Sequence, residues 1–211
     1  MTQRRKWTAI PGLLALAIGA VVLSAYSGAS SSQNASPVQP INFPHPKHAG
    51  AVADGGLGLN CLYCHNTANK SPDPGMPAVS TCMGCHLVIP GKTADGKAGI
   101  QKLMTYYAGG HGKPVPWVRI HKVPEYVRFP HMRHVNAGVT CQTCHGQVQK
   151  MDRVYQFSSL NMGWCVKCHV NGYDPAEGER ATGYVADSGA TTVTPADQRK
   201  KARYDCASCH Y

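Results

Sequence analysis

Residues 129–145 read FPHMRHVNAGVTCQTCH. Cys141, Cys144 and His145 close the stretch, and His131 and His134 stand three residues apart ahead of them. A copy of the front half, FPHPKHAG, occupies residues 43–50. What joins a Cys-x-x-Cys-His to a duplicated Phe-x-His-x-x-His decides how this chain folds.

All ten cysteines fall in one pattern: Cys61/Cys64/His65, Cys82/Cys85/His86, Cys141/Cys144/His145, Cys165/Cys168/His169 and Cys206/Cys209/His210. Cys-x-x-Cys-His is the attachment signature of c-type haem, in which two thiols form thioethers and the adjacent histidine binds the iron. A zinc site needs paired half-sites and tolerates other spacings. Five disulfides in an exported chain would require no histidine at all. Neither alternative explains a histidine after the second cysteine in five motifs of five, so the pattern predicts five covalently bound haems c.

Composition fits that expectation. The chain has 211 residues with 22 Gly and 15 Pro but only three Phe, too few large apolar side chains to fill an ordinary interior. Five macrocycles would form the core, and the peptide would wrap them as irregular chain with short α-helices. The formal charge is +10, which roughly two propionates per haem would largely offset. No basic run with interleaved aromatics points to nucleic acid.

Eleven histidines are present, and five are proximal by motif. Of the rest, His45, His48, His131 and His134 belong to the repeated frame. His121 sits in the apolar-flanked run Trp117-Val-Arg-Ile-His121, and His111 in the glycine-rich stretch Gly109-Gly-His-Gly. Six-coordinate haems need a second axial ligand each. Two imidazoles at i and i+3 share a helix face but cannot both approach one iron axially, so each pair is expected to reach two haems. His45 is assigned to the first haem, His131 to the third, and His48 and His134 to others. His121 is the fifth distal candidate, and His111 reads as a surface residue. Met76 and Met162 are the alternatives to a fifth histidine, with core packing the expected role of both.

The segment from Trp7 to Tyr26 carries no charge over 20 residues, about one hydrocarbon thickness as a helix. Arg4, Arg5 and Lys6 precede it, which places the N-terminus in the cytoplasm and everything beyond Ser27 outside. Residues 1–27 are therefore expected to be one transmembrane anchor. A cleaved signal ending near Ser27-Gly28-Ala29 is the competing reading. Residues 28–40 follow as a linker and 41–211 as the haem domain, with haem pairs in 41–90 and 129–170 and the fifth haem in 194–211. Between the pairs, Ile100, Leu103, Met104 and Tyr107 recur at helical spacing, with Gly109-Gly110 as the stop. Residues 171–193 read as a surface excursion, and Thr194-Pro195 as a helix start.

The Phe-x-His-x-x-His frame with its following motif resembles class III multihaem cytochromes c. The longer run Val118-Arg-Ile-His121-Lys-Val-Pro through Phe129-Pro-His131-Met-Arg-His134 to Met162-Gly-Trp-Cys165-Val-Lys-Cys168-His169 is more specific. With five motifs and one N-terminal anchor, it is similar to the pentahaem cytochrome subunits of alternative complex III. That resemblance implies an electron-transfer subunit on the periplasmic face of the inner membrane rather than an enzyme by itself. Its expected partners are an iron–sulfur, molybdopterin-like subunit, integral quinol-site subunits and a monohaem cytochrome c. It implies electron flow from quinol towards a cytochrome c or terminal oxidase. A stand-alone quinol dehydrogenase feeding a periplasmic reductase is the alternative. A multihaem reductase is disfavoured, since all five motifs keep their histidine.

Overall fold

A computed structural model describes residues 9–26, 32–108, 112–174, 195, 197–199 and 201–211. Nine helices are described, separated by long stretches of irregular chain: α1 Ala9–Tyr26, α2 His45–His48, α3 Cys61–Cys64, α4 Val79–His86, α5 Ala94–Tyr107, α6 His131–Asn136, α7 Cys141–His145, α8 Met162–Asn171 and α9 Cys206–Cys209. No strand occurs among the described residues, and a lone antiparallel bridge joins Val127 to His210.

The shortness of most helices follows from the sequence. Each Cys-x-x-Cys lies in a helical turn entered from an extended residue: Asn60, Thr140 and Asp205 directly before the first cysteine, and Ala78 and Asn161 before the two longer helices. Asn60 accepts from the Leu62 amide at 2.8 Å, and Asn161 from the Trp164 amide at 2.8 Å. These side-chain caps satisfy amides that a helix start leaves unpaired. On such a turn the two cysteines, three residues apart, share one face. Pro44 and Pro130, both extended, occupy the cap positions of α2 and α6.

The helix expected around Ile100–Tyr107 begins earlier, at Ala94. Thr93 accepts from the Gly96 amide at 3.0 Å and starts it one and a half turns ahead of the apolar positions. It ends at Ala108, in left-handed conformation, with an amide bonded to the Met104 carbonyl. Leu103 is buried on this helix, while Met104 is exposed. Leu103 joins Ile41, Met83 and Val115 in a small cluster backed by Trp117, Tyr106 and Tyr107, and α4 packs on α5 through it. Met151 completes the buried apolar set, five side chains among the described residues. So small a set leaves the interior to something other than aliphatic packing.

Polar groups take much of the remaining interior. Gln156, with no exposed surface, donates to the Ser158 carbonyl at 3.0 Å, and its backbone exchanges bonds with Asn34 and Ala35. Gln39 bonds both ways with the backbone of Val118, at 2.9 Å each. Part of the segment expected as a linker is thus tied along the second half of the chain. Asp174, buried, pairs with Arg199 at 3.3 Å.

α1 carries exposed Leu13, Leu14, Leu16 and Ile18. Among the described residues no helix is long and apolar enough to cross a membrane. The expected span begins at Trp7, outside them, and α1 is its 18-residue helical part. His111 also lies outside the described residues, as do Thr194 and nearly all of 171–193. Met76 and Met162, expected to pack in the core, are both exposed.

Candidate haem-binding site

α2 and α6 are built alike down to ring geometry. Phe43 lies edge-on to His45, with centroids 4.8 Å apart, and stacks on His48 at 4.4 Å and 25°. Phe129 lies edge-on to His131 at 4.8 Å and stacks on His134 at 4.3 Å and 25°. One phenyl ring therefore holds its two histidines in different planes. The His48 Nδ1 contacts the Pro44 carbonyl at 3.0 Å, and the His134 Nδ1 contacts the Pro130 carbonyl at 3.1 Å. A carbonyl requires the hydrogen on Nδ1, which leaves the Nε2 lone pair free for a metal.

The proximal histidines repeat this device. The His86 Nδ1 meets the Ile89 carbonyl at 3.0 Å, and the His169 Nδ1 meets the Arg203 carbonyl. Two imidazoles on opposite sides of one metal, each bonded at about 2 Å, put their centroids about 6 Å apart. Three distal–proximal pairs have that spacing: His48–His86 at 6.0 Å, His134–His169 at 6.0 Å, and His131–His145 at 6.4 Å with rings only 21° from parallel. His45 lies beside His65, close enough for their charges to interact. The residues present fit six-coordinate haem iron at three motifs, and His45 lies near His65 of the first.

The fifth distal candidate is placed otherwise. His121 sits 4.2 Å from His145, edge to face, too close for a metal between them. The ring beside His210 is that of Tyr126, stacked at 5.5 Å. Buried nitrogens without hydrogen-bond partners occur at His45 Nδ1, His121 Nε2 and His131 Nδ1. An orphaned buried nitrogen calls for a partner; the His121 atom is Nε2, the nitrogen left for a metal elsewhere in this site, whereas those of His45 and His131 are Nδ1, on the far side of the ring from it.

Sequence reasoning missed the proline carbonyls and the phenyl wedge. The signal was present in the identical Phe-Pro-His openings at 43–45 and 129–131.

Burial favours the neutral form of His45, His65, His121, His131, His134 and His145. His145 is held down to about 3 by burial, with His121, His131 and His65 adding repulsion. His45 and His121 are held at about 4, again chiefly by burial. An unfolded histidine takes its proton near 6.5, so between about 6.5 and 4 the unfolded chain binds more protons than the folded one. Stability is then complete above 6.5 and falls as pH drops towards 4. Metal ligation acts in the same direction, because it too requires neutral imidazole. Thermal unfolding followed at the Soret band should show a flat melting temperature above pH 6.5 and a steady decline below it. A melting temperature that rises on acidification through this window contradicts buried neutral histidines.

The thiols of the motifs are drawn together across the chain. Cys61 and Cys141 stand close enough to share a proton, which lowers the first and raises the second. Burial pushes the Cys144 thiol up to about 12, helped by Cys168 and Cys165.

Residues 133–211 match the family model for cytochrome c3. Three of the five motifs lie inside that match. Over 153 residues the chain is 24% identical to the "menaquinone reductase, multiheme cytochrome c subunit" of Nitratidesulfovibrio vulgaris, with 63% of this chain and 68% of that protein covered. The C-terminal part is thus a cytochrome c3-type multihaem domain, with c-type haem carried at its Cys-x-x-Cys-His motifs.

Proposed function

We propose that this chain is a membrane-anchored pentahaem cytochrome c that relays electrons within a quinol-oxidising complex of the alternative complex III type. The observation that carries the relay is the histidine geometry. His48/His86, His131/His145 and His134/His169 stand at the separation of paired axial ligands, which leaves no open coordination position at those motifs for a substrate. Bound haem supplies one-electron chemistry and, with two histidines, a low potential.

The residues then do four things. Paired cysteines on one face of a helical turn fix each macrocycle covalently. Phe43 and Phe129 set the planes of the distal rings, and the Pro44 and Pro130 carbonyls orient them. Burial keeps His45, His131, His134 and His145 towards their neutral form. The relative's quinone-linked complex and the apolar helix α1 support a seat at the membrane, with Cys61 onward on the periplasmic side, an iron–sulfur subunit and integral subunits as neighbours, and a monohaem cytochrome c as acceptor.

The relative belongs to a menaquinone reductase, which favours a second reading, in which electrons run the other way, into quinone. Extraction in mild detergent and identification of the copurifying chains tests both. An iron–sulfur subunit and a polytopic subunit should copurify, and the pyridine haemochrome should give five haems per chain. Quinol added to the complex should reduce the haems under the first reading and leave them oxidised under the second. Absence of both partner classes overturns the complex, and another haem count overturns the five-site assignment.

A further inference from the structure

The five motifs, numbered here as sites 1 to 5 in chain order, do not lie in that order in space. Site 1 adjoins site 2 through α2, whose His48 faces His86 at 6.0 Å while its His45 lies near His65. Site 1 also adjoins site 3, where the Cys61 side chain lies beside that of Cys141. His65 of site 1 lies near His145 of site 3. α2 packs on the 3₁₀ turn Val148–Lys150 that directly follows the third motif.

Backbone bonds lock the same junction. The His131 amide donates to the Pro72 carbonyl at 3.1 Å, the Met132 amide to Ser71 at 3.3 Å, and the Asn136 side chain to Asn69 at 3.1 Å. The loop after the first motif therefore carries the helix that serves the third. Site 3 meets site 4 through α6, whose His131 stands 6.4 Å from His145 and His134 6.0 Å from His169, and Cys165 of site 4 lies near Cys209 of site 5. The Ala202 amide donates to the His169 carbonyl at 3.3 Å, so the approach to the fifth motif backs the fourth.

Exposure distinguishes the ends independently. Cys85 of site 2 and Cys206 of site 5 are exposed, while the other eight cysteines are all partly covered.

From this geometry we infer that electrons cross the chain in the order site 2, site 1, site 3, site 4, site 5. In that order the step from site 1 to site 3 joins the two halves of the chain. The termini of the path are the haem of Cys82, Cys85 and His86 and the haem of Cys206, Cys209 and His210. Each step moves one electron from a reduced site to its oxidised neighbour, with no bond made or broken. A quinol-class reductant, through its partner subunit, supplies electrons at one terminus, and an oxidised cytochrome takes them at the other. The second motif in sequence is thus an outer contact point, and the first motif is interior.

This order rests on the haem occupancy proposed above, so the haemochrome count is taken first: five per chain keeps the occupancy, and only then does the order stand or fall. Nuclear Overhauser contacts between haem substituents of the reduced, intact protein then read adjacency. Contacts are expected between sites 1 and 2, 1 and 3, 3 and 4, and 4 and 5, the strongest between the thioether groups of Cys61 and Cys141. Contacts between sites 2 and 3 without any between 1 and 3 overturn the order. As a second measurement, His45→Met should raise the potential of site 1, because His/Met ligation lies above bis-histidine. Redox titration should then show altered midpoints for sites 2 and 3 and unaltered ones for 4 and 5. Altered midpoints at site 4 or 5 with site 3 unmoved count against the order.

Discussion

In the His134→Ala variant, one haem of the five is expected to change from low-spin to high-spin while the other four keep their spectra. His134 faces His169 across 6.0 Å, and its Nδ1 is committed to the Pro130 carbonyl, so Nε2 is the nitrogen it can offer a metal. No second imidazole is described near His169, and an alanine leaves that side of the site open. About a fifth more of the haem than in the parent should then bind carbon monoxide, and the high-spin resonance in the electron paramagnetic spectrum should grow. His48→Ala should do the same at the second motif, where His48 faces His86. His131→Ala should behave differently, because His121 already lies 4.2 Å from His145 and is near enough to swing into the vacated position. The single variant is expected to stay largely low-spin, and the His121→Ala, His131→Ala double variant to lose that rescue. An unchanged number of low-spin haems in His134→Ala would sink the pairing of His134 with the fourth motif.

Local chemistry was legible in the sequence to the extent that it depends on spacing. A thioether pair needs cysteines on one face of one turn, and Cys-x-x-Cys supplies that at any point of the chain. The duplicated Phe-x-His-x-x-His was visible too, along with the inference that its two histidines diverge. Which iron each reaches was not visible, because that depends on a ring wedge and a carbonyl whose positions only the fold gives. The start of α5 was missed for a different reason. Thr93 caps that helix through a side chain, and the turns it adds carry no apolar signal. The path from site 2 through site 1 to site 3 was hidden because it depends on contacts such as Cys61 with Cys141, eighty residues apart. The position of His121 beside His145 is of the same kind, since nothing in its flanking residues says which motif it meets.

Gly146→Ala is expected to be the most destabilising single substitution at the third motif. Gly146 follows His145 directly, with φ of 71° and ψ of −171°, a conformation that is essentially restricted to glycine and costs other residues about 1–3 kcal/mol. Space is as restrictive as the backbone. A β-carbon there would lie 2.8 Å from Phe157 Cγ and 2.9 Å from Met151 Cε, and Met151 is one of the few buried apolar side chains. Overpacking of this kind adds about 1–3 kcal/mol, so the two effects together come to about 2–6 kcal/mol. That is a large share of the 5–15 kcal/mol typical of a folded domain. The Gly146 amide also closes α7 through a 2.8 Å bond to the Gln142 carbonyl, so a backbone that moves to relieve the clash pulls on His145 itself. Gly138→Ala is the control: its φ is also positive, at 87°, but nothing lies within 4 Å of the added carbon. Denaturant unfolding of the two holoproteins should place Gly146→Ala well below Gly138→Ala, and the Soret band of one haem should broaden in the former alone. Equal stability of the two variants would show that the contact with Phe157 and Met151 yields freely, and that the turn after His145 is not held by packing.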